Sequence, residues 1–306
     1  MTTPPRRLTL TVSPDLAGRK VDFLLRRCLG LSGTLVRRAK WLPGGITLDG
    51  EPVHTDHTTG AGQVLSVLVG DLERRSGVLP APGPLDIVYE DEDLIVLNKA
   101  PGVLVHPGHG HFSDTLGNFL LHYYDSRGLT ADFHPVHRLD KGTSGLLVVA
   151  KHAHAQEVLK EALHTPAFRR YYLAVCEGTP EPRSGVIDAP IGRLPGSLLA
   201  REVRPDGQRA RTRYRVLERA NGCTLLALEL ETGRTHQIRV HLAHLGHPLT
   251  GDFLYGTEDP ALIPRPALHS HRISLIHPVT GEHLSWTAPL PADMARLITP
   301  TKEPER

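Results

Sequence analysis

The sequence predicts an α+β protein: a largely antiparallel mixed sheet flanked by helices, preceded by a small basic α/β module. Three observations predict it. Short apolar or alternating runs dominate, and helical periodicities interrupt them irregularly, without the strict alternation of a βαβ fold. A stretch rich in proline and glycine, residues 73–84, divides the chain. Charge is also uneven: residues 6–40 hold nine basic side chains against two acidic ones, a local net of +7, whereas residues 76–306 hold 24 basic against 26 acidic. The expected division is a module over 1–72, a linker over 73–84 and a larger body over 85–306.

The elements follow in order. Residues 8–12 alternate as a short strand. Val21, Leu24, Leu25, Cys28 and Leu29 recur at helical spacing, with Arg26 and Arg27 on the other side. Ser32 is placed to cap a second helix carrying Arg37, Arg38 and Lys40, which Pro43-Gly44-Gly45 ends. Residues 46–48 and 64–69 read as strands, with Asp49-Gly50 as a hairpin turn. In the body, 86–89 and 94–97 form a hairpin around four acidic residues. A helix starts at Ser113 or Asp114 and runs through Tyr123; 145–150 is a buried strand; 152–164 is a helix. Residues 171–176 and 223–230 are strands, and Ile238, Leu242 and Leu245 mark a helix closed by Gly246.

Composition excludes several classes. With 306 residues, 40% hydrophobic and 22% charged, the chain can bury a sizeable core, so global disorder is excluded. Its longest apolar runs are far too short to span a bilayer, and no membrane partner is expected. The first twenty residues hold five charges and no apolar core, so no secretory signal is expected. Three scattered cysteines make neither a disulfide framework nor a zinc cluster, and the expected setting is the reducing cytoplasm. Nineteen histidines raise a metal hypothesis, but His106, His109, His111 and His241, His244, His247 lack accompanying ligands at a familiar spacing, and no metal is expected. The basic front module fits a polyanion, because neutralised phosphates release counterions.

The chemistry concentrates in three segments. His137-Arg138-Leu139-Asp140-Lys141-Gly142-Thr143-Ser144-Gly145 lies just before the buried strand, where a reactive group is rigidly held. Arg169-Arg170-Tyr171-Tyr172 sets an aromatic beside basic groups, and Gly233-Arg234-Thr235-His236-Gln237-Ile238-Arg239 opens a helix. Residues 201–219 hold seven basic and three acidic residues and suit either an RNA-facing strand or a solvated hairpin. Asp252 is the possible second acid of a glycosidase-like pair.

Residues 137–145 resemble the HRLDxxTSG signature of the RluA family of RNA pseudouridine synthases at every fixed position. Residues 98–107 resemble that family's NKPxGxxVHP stretch, and 170–174 its K-x-Y-x-A, with Arg170 in place of lysine. Residues 233–239 resemble GRTHQIR, 251–256 GDxxYG, and 277–282 with 288–291 the closing HPxTGE and AP-x-P. The front module resembles the RNA-binding domain of the ribosomal protein S-four type, with Gly33-Thr34 in place of the usual arginine after serine. Under this resemblance Asp252 reads as structural.

The resemblance implies a pseudouridine synthase fold and an isomerase that needs no cofactor. Uridine in RNA loses its bond to the ring nitrogen, and the base turns and rejoins the sugar through carbon. Asp140 either attacks the anomeric carbon or removes the 2′ hydrogen to give a glycal; both routes stay open. Arg234 is expected to pair with Asp140, and Tyr172 to stack on uracil and handle the carbon-5 proton. Arg138 is expected to fill the space the flipped nucleotide leaves, Ile238 to pack near the flipped base, and His137 to orient the loop or contact RNA. Arg26, Arg27, Arg37, Arg38 and Lys40 are the expected RNA contacts of the front module. The expected substrate is large-subunit ribosomal RNA, acted on by a monomer. Transfer RNA is the alternative substrate, and a non-catalytic ribosome-assembly factor the alternative role.

Overall fold

The computed structural model describes residues 3–300 apart from residue 109. It begins with β1 (Arg7–Thr11), α1 (Val21–Phe23, widening into a π-type turn over Leu24–Cys28), α2 (Gly33–Lys40), β2 (Ile46–Leu48), β3 (Glu51–Pro52) and β4 (Val64–Leu68). The strands pair antiparallel in the order β1-β4-β2-β3. Ser32 caps α2 by accepting from the Leu35 amide. Asp49 and Gly50, at φ +52° and +88°, form the two-residue turn between β2 and β3, where both central residues must be left-handed. Val21, Leu24, Leu25, Val36, Leu65 and Val67 fill a separate small core.

This module is fastened to the body by buried charge. Arg6 forks onto Asp93 at 2.8 and 3.1 Å, and Asp93 also meets His152 at 2.9 Å. Asp71 accepts from the Asp132 amide and meets His134 at 2.6 Å. Residues 73–84 form no helix or strand, yet they are tied down. Arg74 donates to the carbonyls of Leu121, Leu129 and Ala131, and Asp132 accepts from the amides of Arg75 and Ser76.

The body contains β5 (Ile87–Glu90), β6 (Leu94–Lys99), α3 (Leu116–Ser126), β7 (His134–Pro135), β8 (Ser144–Ala150), α4 (Ala153–Ala162), β9 (Phe168–Glu177), β10 (Ser184–Asp188), β11 (Ile191–Arg193), β12 (Arg201–Val203), β13 (Arg211–Ala220), β14 (Cys223–Leu230), α5 (Gln237–His244), β15 (Leu268–Ile276), β16 (His283–Thr287) and α6 (Ala292–Ile298). The main sheet runs β10-β13-β14-β9-β15-β8-β6-β5, with β16 beside β15 and β7 beside β8. Among the described residues its pairings are antiparallel except β15 with β8. α3 starts later than the sequence suggests. Thr115, not Ser113 or Asp114, is its cap, in a reciprocal box with Asn118, and Asp114 instead meets His111.

The central strands set up the cleft. β8 is buried along its whole length. Ile95, Leu97, Leu120, Leu147, Ala174, Leu226 and Leu242 pack into one core, and Leu94, Val96, Leu146, Val148, Leu159 and Ile273 into another. Gly145, at φ +106°, lets β15 approach: a Cβ there would collide with the Ser270 carbonyl oxygen. That close approach fixes the glycine that ends the 137–145 motif. No helix among the described residues is long and apolar enough to cross a membrane.

Candidate active site

Asp140 lies in the loop between β7 and β8, with about 30% of its side chain exposed. The loop is held by its backbone. The Lys141 carbonyl accepts from the Gly102 amide at 2.8 Å and from Lys99 Nζ at 3.2 Å. The Gly142 carbonyl accepts from Arg265, which Asp293 forks at 2.7 and 2.9 Å. Lys99 is 1% exposed at the end of an apolar strand. Burial pushes its ammonium down to about 7, against the pull of Asp140. Its carbonyl acceptors on Ala100, Val103 and Lys141 ask for all three N–H groups of the charged form. Sequence reasoning assigned this lysine no role of its own. Its place at the end of a run of apolar residues is the signal for a buried amine that needs carbonyls.

Asp140 opens onto a cavity of about 280 Å³ lined by His137, Arg138, Leu139, Arg170, Tyr172, Arg234, Ile238 and Leu268. Along β9, burial alternates over residues 168–172, so Phe168, Arg170 and Tyr172 face inward while Arg169 and Tyr171 face out. Tyr172 is 4% exposed, and burial raises its phenol above the ordinary range, so it stays neutral. Ile238, on the first turn of α5, is buried in the same wall, and Arg138 stands exposed between buried His137 and Leu139.

The expected Asp140–Arg234 pair is not formed. Arg234 lines the cavity but precedes α5, and its Nε donates to the Arg209 carbonyl at 3.1 Å. The guanidinium beside Asp140 is that of Arg239, with Nη1 to Oδ2 at 3.9 Å. Helix α5 turns this residue inward, where it is 4% exposed. Asp252, fully buried, forks it with two hydrogen bonds of 2.7 Å. Burial works against the Arg239 charge, but Asp252 and then Asp140 outweigh it, so its pKa rises. Asp252 is therefore the anchor of the cation that faces Asp140. Arg239 was missed as a site residue; an arginine between apolar helix neighbours was the signal for a buried one.

His137 is also settled by burial. Its Nε2 accepts from the Val148 amide at 3.3 Å. Burial, reinforced by nearby Arg170, pushes its pKa down to about 3. The neutral ring therefore carries its proton on Nδ1. Three of the histidines weighed as metal ligands bond within the protein: His241 to Thr212 and the Ala189 carbonyl, His247 to the Glu177 carbonyl, and His111 to Asp114. His109 lies outside the described residues.

The basic surfaces divide. Arg27, Arg37 and Lys40 are exposed on the front helices, and Arg26 is exposed but pairs with Asp22 at 2.9 Å. Arg38 departs from the expected outward role: the last turn of α2 aims it at buried Asp71, 3.4 Å away. The 201–219 segment is not a hairpin but two strands, β12 and β13, and four of its seven cations are paired: Arg204 with Asp206 inside the segment, Arg211 and Arg213 with Glu231, and Arg219 with Glu181.

An acid at the mouth of an open cleft, a buried cation beside it and an aromatic at its wall form a candidate catalytic site. The RNA pseudouridylate synthase family model matches residues 93–244. The uncharacterized RNA pseudouridine synthase YjbO of Bacillus subtilis is 43% identical over 270 residues, covering 88% of this chain and 95% of that one. A ribosomal large subunit pseudouridine synthase D of Nitrosomonas europaea is 40% identical over 300 residues, covering 95% and 87%. Among solved structures, human RNA pseudouridylate synthase domain containing 1 superposes with a TM-score of 0.57 at 26% identity, over 71% of this chain and 86% of that one. The chain belongs to the RNA pseudouridylate synthase family, in its RluA branch, and is an RNA pseudouridine synthase.

Proposed function

We propose that the protein converts uridine to pseudouridine in structured large-subunit ribosomal RNA in the cytoplasm, with Asp140 as the group that acts on the sugar. The observation that carries this reading is the Asp140 carboxylate at the mouth of a cavity walled by Tyr172 and Ile238, with the Arg239 guanidinium 3.9 Å away. The relatives named as ribosomal large subunit enzymes match along almost the whole chain, front module included, which supports the ribosomal substrate.

The target uridine leaves its stack, at a cost of a few kcal/mol. Exposed Arg138 enters the space left behind, and the uracil lies between Tyr172 and Ile238. Stacking on an aromatic is worth about 1–3 kcal/mol and retains the base between bond breaking and bond making. Arg239, fixed by Asp252, keeps the Asp140 carboxylate oriented. Asp140 then forms an ester with C1′ or takes the 2′ hydrogen. The front module acts as an S-four-type RNA-binding domain, holding phosphates through Arg27, Arg37 and Lys40, with Arg26 beside them.

The test is a pseudouridine map of total RNA from a strain lacking the gene. A site lost from large-subunit RNA, restored by wild type and not by Asp140→Ala, is the expected result. Restoration by Asp140→Ala leaves only a binding role, and loss from transfer RNA replaces the ribosomal substrate.

A further inference from the structure

Arg170 is 4% exposed in the wall of the catalytic cavity. Its Nε and Nη2 are buried and have no hydrogen-bond partner. Two neighbouring guanidiniums are occupied, Arg239 by Asp252 and Arg234 by the Arg209 carbonyl, while Arg138 on the cavity rim stands in solvent. His137 Nδ1 is likewise buried in the same wall, with only the backbone of Arg138 beside it. In the neutral ring that nitrogen is a donor, because Nε2 accepts from Val148. Gly233 keeps the space before the guanidinium open, since a Cβ there would lie 3.1 Å from Arg170 Nη1. Buried donors on a cation are costly unless something supplies the acceptor. Arg170 lines the cavity, so a ligand there that draws the guanidinium toward it supplies the acceptor its own chain does not give.

We propose that Arg170, assisted by the Nδ1–H of His137, is a catalytic cradle for the uracil anion released when the glycosidic bond breaks. The inference rests on the reading of the site given above. When C1′–N1 breaks, its electron pair stays with N1, and the negative charge spreads to the carbonyl oxygens of the base. C1′ is satisfied by an Asp140 oxygen, or by a C1′=C2′ double bond once Asp140 has taken the 2′ proton. C5 then bonds to C1′. The Asp140 ester breaks with its pair returning to the carboxylate, or the 2′ proton returns to C2′. The C5 proton leaves to a base in the pocket and N1 takes up a proton, so the product is an isomer of the substrate. Donors aimed at a charge that exists only between these two bond events lower the barrier to cleavage. A backbone phosphate is the other anion a guanidinium takes. The walls of Tyr172, Ile238 and Leu268 around Arg170 suit a flat base instead.

The experiment compares wild type, Arg170→Gln and Arg170→Lys in single-turnover reactions at saturating enzyme. The substrates are transcripts bearing the mapped target, made with uridine or with 5-fluorouridine. Fluorine stabilises the departing base anion and reduces its need for a cation. Arg170→Gln slows disappearance of the target uridine by about 10²-fold, and Arg170→Lys recovers part of the rate. The defect on the fluorinated RNA is smaller by about tenfold, with RNA affinity and Tm unchanged. An equal defect on both RNAs, or none, overturns the proposal. Weaker RNA binding with a flatter salt dependence gives Arg170 to a phosphate and overturns it too. Absence of pseudouridine with the wild-type enzyme removes the underlying reading, and this inference with it.

Discussion

In the front module, Arg27, Arg37 and Lys40 stand in solvent on two short helices, whereas in the catalytic body Arg239 and Arg170 are each 4% exposed. The exposed cations are screened, and each is worth little alone. In the function proposed above their use is collective: they gather phosphates and release counterions. The buried pair was placed at a desolvation cost that only well-aimed anions offset. Arg239 has its anion built in, as Asp252. Arg170 has none among its own chain's hydrogen-bond acceptors for Nε and Nη2. On the proposed reading one region supplies affinity that grows by small increments, and the other supplies discrete chemistry that fails as a unit.

The contrast predicts a descending series of effects. Arg239→Ala removes the cation facing Asp140 and leaves buried Asp252 unpaired; the rate falls by about 10³-fold in single-turnover assays, and urea titration shows a loss of about 3–5 kcal/mol. Asp252→Ala gives a similar loss of stability, because it strands the same buried cation. Equal behaviour of either variant and wild type breaks the distinction between buried and exposed charge.

A smaller effect follows from pH. Burial lowers His137 to about 3, and His154 and His269 to about 4. The unfolded chain takes up these protons first, near the ordinary value of about 6.5. Stability from keeping the rings neutral is therefore present above about 6.5 and lost as pH falls from there toward about 4. Asp93, held well below the usual carboxylate range by His152 and Arg6 against its burial, acts in the same direction at lower pH. Thermal melts from about pH 7 to about pH 4 are expected to show a steadily falling Tm, and a flat profile contradicts the burial of neutral histidines.

The exposed set gives the gentlest response. Arg27→Ala, Arg37→Ala and Lys40→Ala together flatten the dependence of log K on log salt by about one unit for each phosphate no longer neutralised, with the single-turnover rate at saturation unchanged. Arg234→Ala lowers that rate by less than about tenfold, because Arg234 bonds a carbonyl and not Asp140. A larger effect for Arg234 than for Arg239 reverses their assignment.

Much of this organisation was legible in the chain. The 137–145 loop, the wholly apolar strand after it and the hairpin before it are set by local pattern, and the structure places Asp140 and Tyr172 on one cavity. The choice between Arg234 and Arg239 was not legible. The two arginines lie five residues apart in one motif, and only the start of α5 at Gln237 decides which turns inward. β15 escaped for a related reason. It reads as polar through His269, Ser270, His271 and Arg272, yet sheet neighbours bury Leu268–Ser270 and Ile273–Leu275 on either side of the exposed Arg272. The fastening of the front module was invisible as well, since Arg6 and Asp93 are 87 residues apart and meet only after both parts have folded.

The most direct test follows the base itself. Purified wild type and Asp140→Asn are incubated with target RNA labelled in the uracil ring, and the digest is separated into uridine, pseudouridine and free uracil. Wild type moves the label into pseudouridine and releases no uracil, while Asp140→Asn binds the RNA with wild-type affinity and leaves the label in uridine. Conversion by Asp140→Asn at the wild-type rate, or free uracil accumulating with wild type, contradicts the assignment of Asp140 as the group that detaches and re-attaches the base.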